Sequence, residues 1–167
     1  MIYHYTYDTE LGSVTFAEED GALLVISTHR SVEGVCQETA LIKEAYRQLT
    51  EYLRGDRKAF DLPLNPQGTD FQKRVWKALC DIPYGETRSY KQIAEAVGNP
   101  KAVRAVGMAN HRNPLLIVVP CHRVIGADGK LVGYAAGIDK KEFLLRLENR
   151  VVTTNSSETP FTPVITT

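Results

Sequence analysis

Residues Val118 to Val124, VVPCHRV, set a thiol and an imidazole side by side behind a proline. A free thiol with a pKa near ~8.5 is only a few per cent thiolate at neutral pH, and nearby positive charge raises that fraction. Cys121, flanked by His122 and Arg123, has the neighbours that a sulfur nucleophile needs. In an extended segment adjacent side chains point to opposite faces, so the thiol and imidazole could not meet head-on. Two readings follow. Either Cys121 is a buried inert residue beside a surface histidine, or the chain turns here and a third group or a water completes a proton path.

A second constellation lies just upstream, in TRSYKQIAEAVGNPKAVRAVGMANHRNP, residues 87–114. It carries Arg88, Lys91, Lys101, Arg104 and Arg112, with Glu95 the only acid between Arg88 and Arg112. Such a basic stripe can neutralise phosphates, or it can be a solvated helix face. Ala102, Ala105, Gly107 and Ala109 offer little side chain to base edges. Small residues let a backbone lie close to a surface, which suits sequence-independent groove contact.

The elements that must position these residues can be read from spacing. Ser89 and Gln92 form a capping box, and Tyr90, Ile93, Ala94 and Val97 continue a short amphipathic helix that stops at Gly98. Asn99 as N-cap and Pro100 as first helical residue start a second helix at once, closed by Asn113-Pro114. The pair reads as helix-turn-helix. A preceding helix opens at the Thr69/Gln72 capping box, runs through Phe71, Val75 and Leu79, and ends near Asp81, where Cys80 reads as a small buried residue. After it, LLIVV (115–119) predicts a buried strand, and Asp128-Gly129 the turn of a small β-wing. A last helix is expected from about Asp139 to Arg150, with Phe143 and Leu147 on its inner face.

Residues 2–29 alternate like strands, with turns at Leu11-Gly12 and Glu19-Asp20-Gly21. From Thr39 to Arg54 the spacing is helical, with Leu41, Ala45, Leu49 and Tyr52 on one face, and AFDLPL (59–64) reads as one more short strand. The 167 residues thus divide into an α/β unit over 1–62, a unit over 63–150, and a disordered Thr/Ser/Pro-rich tail over 151–167. The overall charge of zero hides −5, +6 and −1 in those three stretches. An acidic unit beside a basic one suggests an anionic partner, or two halves that attract each other. Three cysteines without a C-x-x-C pair argue against a disulfide framework or a four-ligand zinc site, and for a reducing compartment. No apolar run is long enough to span a membrane and the N-terminus carries no secretory pattern, so a cytoplasmic chain is expected.

FQKRVWKAL, IPYGETRSYKQIAEAVGNPKAVRAVG, HRNP, PCHRVIG and GYAAGIDKKEFLLRLE cover residues 71–148 almost without gaps. This text resembles the O6-alkylguanine-DNA alkyltransferases, also called methylated-DNA–protein-cysteine methyltransferases. The resemblance implies an α+β fold: a small ribonuclease-H-like N-terminal domain of sheet plus helix, then a mostly helical, winged-helix-like helix-turn-helix domain. It implies that Cys121 takes an alkyl group from guanine O6, once per molecule, and that His122 deprotonates it through a water while Glu148 orients the imidazole. Tyr90 would donate to guanine N3, Arg104 would fill the gap left by a base rotated out of the duplex, and Asn113 would hold the turn before the active-site strand. Backbone groups of Cys121, Val124 and Ala135 would recognise the extruded guanine, and Arg88, Lys91, Lys101, Ala102, Ala105 and Arg112 would meet DNA.

The implied partner is double-stranded DNA carrying O6-alkylguanine, met by a monomer that can cluster along it, with no cofactor, no metal and no membrane. Two departures stand out. Leu116 replaces a common proline or alanine, and Ala136 replaces a common glycine where the alkyl pocket is expected. Two rival classes share parts of the pattern. A non-catalytic DNA-binding protein needs no cysteine, and a Cys-His-Glu hydrolase needs no basic helix pair.

Overall fold

Tyr-rich and β-branched alternation at the N-terminus yields a meander. A computed structural model of the chain describes residues 1–131 and 134–155. Strands β1 (Ile2–Thr9), β2 (Gly12–Glu19) and β3 (Ala22–Ser27) pair antiparallel in sequence, and β4 (Val35–Cys36) adds to β1 in parallel, giving the order β3-β2-β1-β4. The β2–β3 turn needs positive φ at both central residues, and Asp20 (φ 51°) with Gly21 (φ 77°) supplies it. Helix α1 (Ala40–Leu53) covers one face; Thr39 caps it and also donates to Glu18 on β2. Its buried stripe is Ile42, Ala45, Leu49, Tyr52 and Leu53, so Ile42 takes the place expected for Leu41. AFDLPL does not form a strand. It contributes one bridge, Leu64 to Leu23, flanked by Leu23 N–H to Pro63 O (2.9 Å) and Asn65 N–H to Leu23 O (2.8 Å).

Two compact units emerge. One comprises residues 1–68 with 114–118; the other comprises 69–113 and the chain from Val119 onward. The apolar run 115–119 is buried as expected, but only its start is extended. Ile26 N–H bonds to Pro114 O (2.8 Å) and Leu116 N–H to Ile26 O (3.0 Å), after which the chain turns at Ile117.

The second unit holds α2 (Asp70–Cys80), β5 (Arg88–Ser89), α3 (Tyr90–Ala96), α4 (Val103–His111), a 3-10 turn (Cys121–Arg123), β6 (Val124–Ile125) and α5 (Ile138–Asn155). Both capping boxes form. Gly98 ends α3 at φ +84°, with Gly98 N–H on Glu95 O and Asn99 N–H on Ala94 O, both 3.0 Å. That closure corrects the start of α4. Asn99 N–H finishes α3, so Asn99 and Pro100 form a turn and the next helix begins three residues later, at Val103. The indole N–H of Trp76 on α2 donates to Ala109 O on α4 (2.9 Å), fixing the helix pair to the unit's core.

Three further expectations change. The Asp128-Gly129 turn forms, closed by Gly126 N–H to Lys130 O (2.9 Å) and by the Asp128 carboxylate on Lys130 N–H (3.1 Å). It carries no antiparallel strand pair among the described residues; β6 instead pairs with β5 in parallel, and Val132 and Gly133 lie outside the described residues. Cys80 is exposed, because α2 buries the face of Val75, Trp76 and Leu79 and its last residue turns away from it. Helix α5 runs on to Asn155, so residues 151–155 belong to it rather than to a disordered tail. Gly85 accommodates this end of the helix: a Cβ there would stand 2.5 Å from Val152 Cγ2, so only a bare backbone leaves room for it. Residues 156–167 lie outside the described residues.

Candidate active site

Cys121 is delivered by two tight bends. At Pro120 (φ −81°, ψ 64°) the Cys121 N–H returns to Val119 O at 2.8 Å, an inverse γ-turn. Cys121 then heads the 3-10 turn that also contains His122 and Arg123, all three buried. Successive residues of such a turn are separated by about 120° rather than 180°. The geometry therefore relaxes the constraint that an extended segment would impose on the adjacent thiol and imidazole.

His122 and Arg123 converge on one carboxylate of α5. His122 Nε2 lies 2.7 Å from Glu148 Oε2, Arg123 Nε donates to Glu148 Oε1 (2.8 Å) and Arg123 Nη2 to Oε2 (2.9 Å). Arg123 Nη1 completes its fork on Ile82 O (2.7 Å), and its guanidinium stacks 5.5 Å from the Tyr84 ring centroid. Burial alone would raise the Glu148 pKa, but the charges and hydrogen bonds of His122 and Arg123 outweigh it and hold the carboxyl well below its usual range. For His122, burial dominates and lowers the pKa against the pull of Glu148, so the ring is neutral near pH 7. A neutral ring that donates from Nε2 to a carboxylate carries its lone pair on Nδ1. The Glu148 carboxylate thus selects one tautomer of the His122 ring.

The thiol is clamped from the other side. Asn113 Nδ2 donates to Cys121 Sγ at 3.1 Å and to Val119 O at 2.7 Å. Asn110, on the buried face of α4, donates to Cys121 O at 3.4 Å and interacts with the Tyr90 hydroxyl. Burial pushes the Cys121 pKa up to about 11, against the Asn113 hydrogen bond, the charge of Lys141 and the Tyr134 hydroxyl beside it. Lys141 is wholly buried, with Nζ 5.9 Å from the Tyr90 ring centroid, and desolvation brings its pKa down to about 8. The resting sulfur is a neutral thiol next to a cation, with a neutral histidine following it in the chain.

Among the residues read from the sequence, Cys121, His122, Glu148, Asn113 and Tyr90 share this interior. Tyr90 opens α3, and Gly107 of α4 faces its ring: a Cβ there would lie 4.0 Å from Cδ1 and Cε1. Burial raises the Tyr90 pKa to about 12, keeping its hydroxyl a proton donor. Val124 is buried, and its N–H closes the 3-10 turn on Cys121 O; Ala135 is half-buried beside Tyr134. Lys91, Lys101, Arg104, Ala105 and Arg112 are exposed, and Ala102 is half-buried. Arg88 is drawn inward, donating to Glu86 Oε1 (3.1 Å) and Thr87 O (2.9 Å).

Three residues around the thiol were missed, Lys141, Tyr134 and Asn110, while Arg123, read from the sequence as a positive neighbour of the thiol, grips Glu148 instead. Lys141 had a signal, since Lys141, Leu144, Leu145 and Glu148 fall at i, i+3, i+4 and i+7, the spacing of one helix face. Among the described residues no group of three or more His, Cys, Asp or Glu is arranged to hold a metal ion, and no helix is long and apolar enough to cross a membrane.

Known proteins resemble this chain over most of its length. Residues 70–150 match the model of the 6-O-methylguanine DNA methyltransferase DNA binding domain, and residues 2–66 that of the same family's ribonuclease-like domain. The chain is 48% identical over 153 residues to the methylated-DNA–protein-cysteine methyltransferase of Methanosarcina acetivorans, covering 88% of this chain and 98% of the relative. It is 50% identical over 158 residues to the constitutive enzyme of that name from Bacillus subtilis, covering 89% and 96%. Mycobacterium tuberculosis OGT, solved in complex with DNA, superposes with a TM-score of 0.84 at 46% identity, over 89% of this chain and 94% of that one.

Proposed function

This chain belongs to the 6-O-methylguanine DNA methyltransferase family, whose curated members carry DNA-repair chemistry on a protein cysteine, and we propose that Cys121 is that acceptor. The observation that carries the assignment is the pairing around one three-residue turn: a buried thiol held 3.1 Å from Asn113, followed by a histidine fixed 2.7 Å from an ionised glutamate. His122 Nδ1, with its lone pair, takes the thiol proton through a water, and Glu148 with Arg123 stabilises the imidazolium that results. The sulfur attacks the alkyl carbon in line; the S–C bond forms, the C–O6 bond breaks, and its electron pair leaves with guanine. Tyr90, kept protonated, donates to the base at N3 as negative charge develops there.

A base inside a stacked duplex cannot present O6 to a buried sulfur, so the lesion must be rotated out. Arg104, exposed on α4, occupies the vacated space; Lys91, Lys101 and Arg112, with the small Ala102 and Ala105, meet the backbone. Arg88 contributes less directly, since Glu86 already engages it. Backbone groups of Cys121, Val124 and Ala135 read the extruded guanine. A thioether is a poor leaving group, so each molecule reacts once. In this reading it works as a monomer on duplex DNA within the cell, free to cluster along it and without a cofactor.

Intact mass after incubation with duplex DNA containing O6-methylguanine tests the assignment. One methyl per molecule on the Cys121 peptide, absent from Cys121→Ala, is the expected result. Binding with no mass gain, or a methyl on Cys36 or Cys80, overturns it.

A further inference from the structure

Ile117 is the one β-branched residue with positive φ among the described residues, at +71°. Val118 N–H bonds to Leu116 O at 2.8 Å, so Ile117 is the centre of a γ-turn of the rare positive-φ kind. A bulky L-residue avoids this region because Cβ crowds its own backbone, and it stays there only when its surroundings leave no alternative. Those surroundings are identifiable. Upstream, Pro114 O and Leu116 N–H are both bonded to Ile26 of β3. Downstream, Asn113 Nδ2 holds Val119 O and the Cys121 sulfur together. The side chain of Ile117 is only 2% exposed, so packing holds it on one side of the bend.

From this geometry we propose that the left-handed turn at Ile117 is a positioning device for the nucleophile, setting the direction in which Val119, Pro120 and Cys121 re-enter the site. Between the turn and the sulfur stand only Val118, Val119 and Pro120, and Pro120 has its φ fixed and is itself the centre of an inverse γ-turn. A change of hand at Ile117 has few bonds over which to dissipate. It would swing Val119 O off Asn113 Nδ2 and the thiol with it. Ile117 touches no substrate; it acts through Cys121, and the inference rests on Cys121 being the acceptor.

The test separates side-chain packing from backbone hand. Ile117→Ala removes the packing that enforces positive φ but keeps the Cβ that resists it. Ile117→Gly removes more side chain yet adopts positive φ freely. Single-turnover transfer is measured at saturating duplex DNA carrying O6-methylguanine, alongside the DNA dissociation constant and the folded fraction. Transfer by Ile117→Ala is expected to slow about tenfold while Ile117→Gly stays within about threefold of the parent, both with unchanged DNA affinity. Packing alone predicts the reverse order, glycine worse than alanine. Equal rates, or a glycine variant slower than alanine, sink the proposal. Should the alanine variant not fold, the glycine rate alone decides: near-parental sustains it, tenfold slower overturns it. If the parent protein leaves Cys121 unmethylated, it is the assignment of the acceptor that fails, and the two failures are told apart by mass.

Discussion

Two arginine–glutamate clusters differ in almost nothing but solvent. On α1, Arg47 grips Glu44 through Nε (2.9 Å) and Nη2 (2.6 Å) and reaches Glu51 with Nη1 (2.8 Å). In the second unit, Arg123 grips Glu148 through the same two nitrogens and spends the third on a backbone carbonyl. The Arg47 side chain is 54% exposed, whereas Glu148 is 1% exposed. Both carboxyls are held below their usual range: Glu44 to about 2, chiefly by its Arg47 hydrogen bond, and Glu148 despite a burial penalty. Water screens the first cluster, so its geometry counts for little. The second has lost that screen, and its charges persist only because each is answered. Buried and answered charge can orient a base; exposed charge cannot.

The sharpest way to break this contrast is Glu148→Gln. It leaves Arg123 buried without a counter-charge, so urea unfolding at pH 7 should lose about 3–5 kcal/mol of stability. Methyl transfer should fall further than the folded fraction, because His122 loses the partner that fixes its tautomer. The acid side follows from the sign of the shift. Glu148 has a folded pKa below its ordinary 4.5, so its contribution is whole above that pH and is lost as pH falls through the lower folded value. The stability gap between parent and variant should therefore narrow below pH 4.5; a gap constant down to pH 3 would mean that the ionised carboxylate is not what matters.

Lys141→Met comes next. The buried ammonium favours ionisation of Cys121, while desolvation lowers its own pKa. Transfer at pH 7 should slow by about tenfold without loss of thermal stability, measured on the same preparation. A large drop in melting temperature would recast Lys141 as structural. Smallest of all is Arg47→Ala, which should leave the urea midpoint and its salt dependence where they were; a substantial drop would show that the exposed cluster has been undervalued.

Much of this fold is legible through local rules. Ser89/Gln92 and Thr69/Gln72 announce their helices because capping is decided within four residues. Gly98 announces a stop, but Asn99 looked like the start of the next helix when its N–H was already committed to the last one. Cys121, His122 and Glu148 were legible through motif resemblance; Lys141 was not, since lysine ordinarily signals solvent and only its register with Leu144 and Leu145 says otherwise. The bend at Ile117 is not legible in the sequence, because LLIVV reads as extended and the hydrogen bonds that flank the bend, to the Ile26 backbone and from the Asn113 side chain, are tertiary contacts that local preference does not report. The end of α5 was misjudged for the same reason: Val151, Val152, Thr153 and Thr154 are poor helix formers, and packing on Gly85 overrides them.

The chain contains a single tryptophan, and its indole hydrogen is spent on a carbonyl of the helix expected to enter the groove. Nature has thereby installed one unambiguous fluorophore at the joint between reader and scaffold. Any shift of that helix when a duplex is engaged must change the polarity or the hydrogen bonding felt by this one emitter, so docking can be followed optically, in real time, on the unlabelled protein.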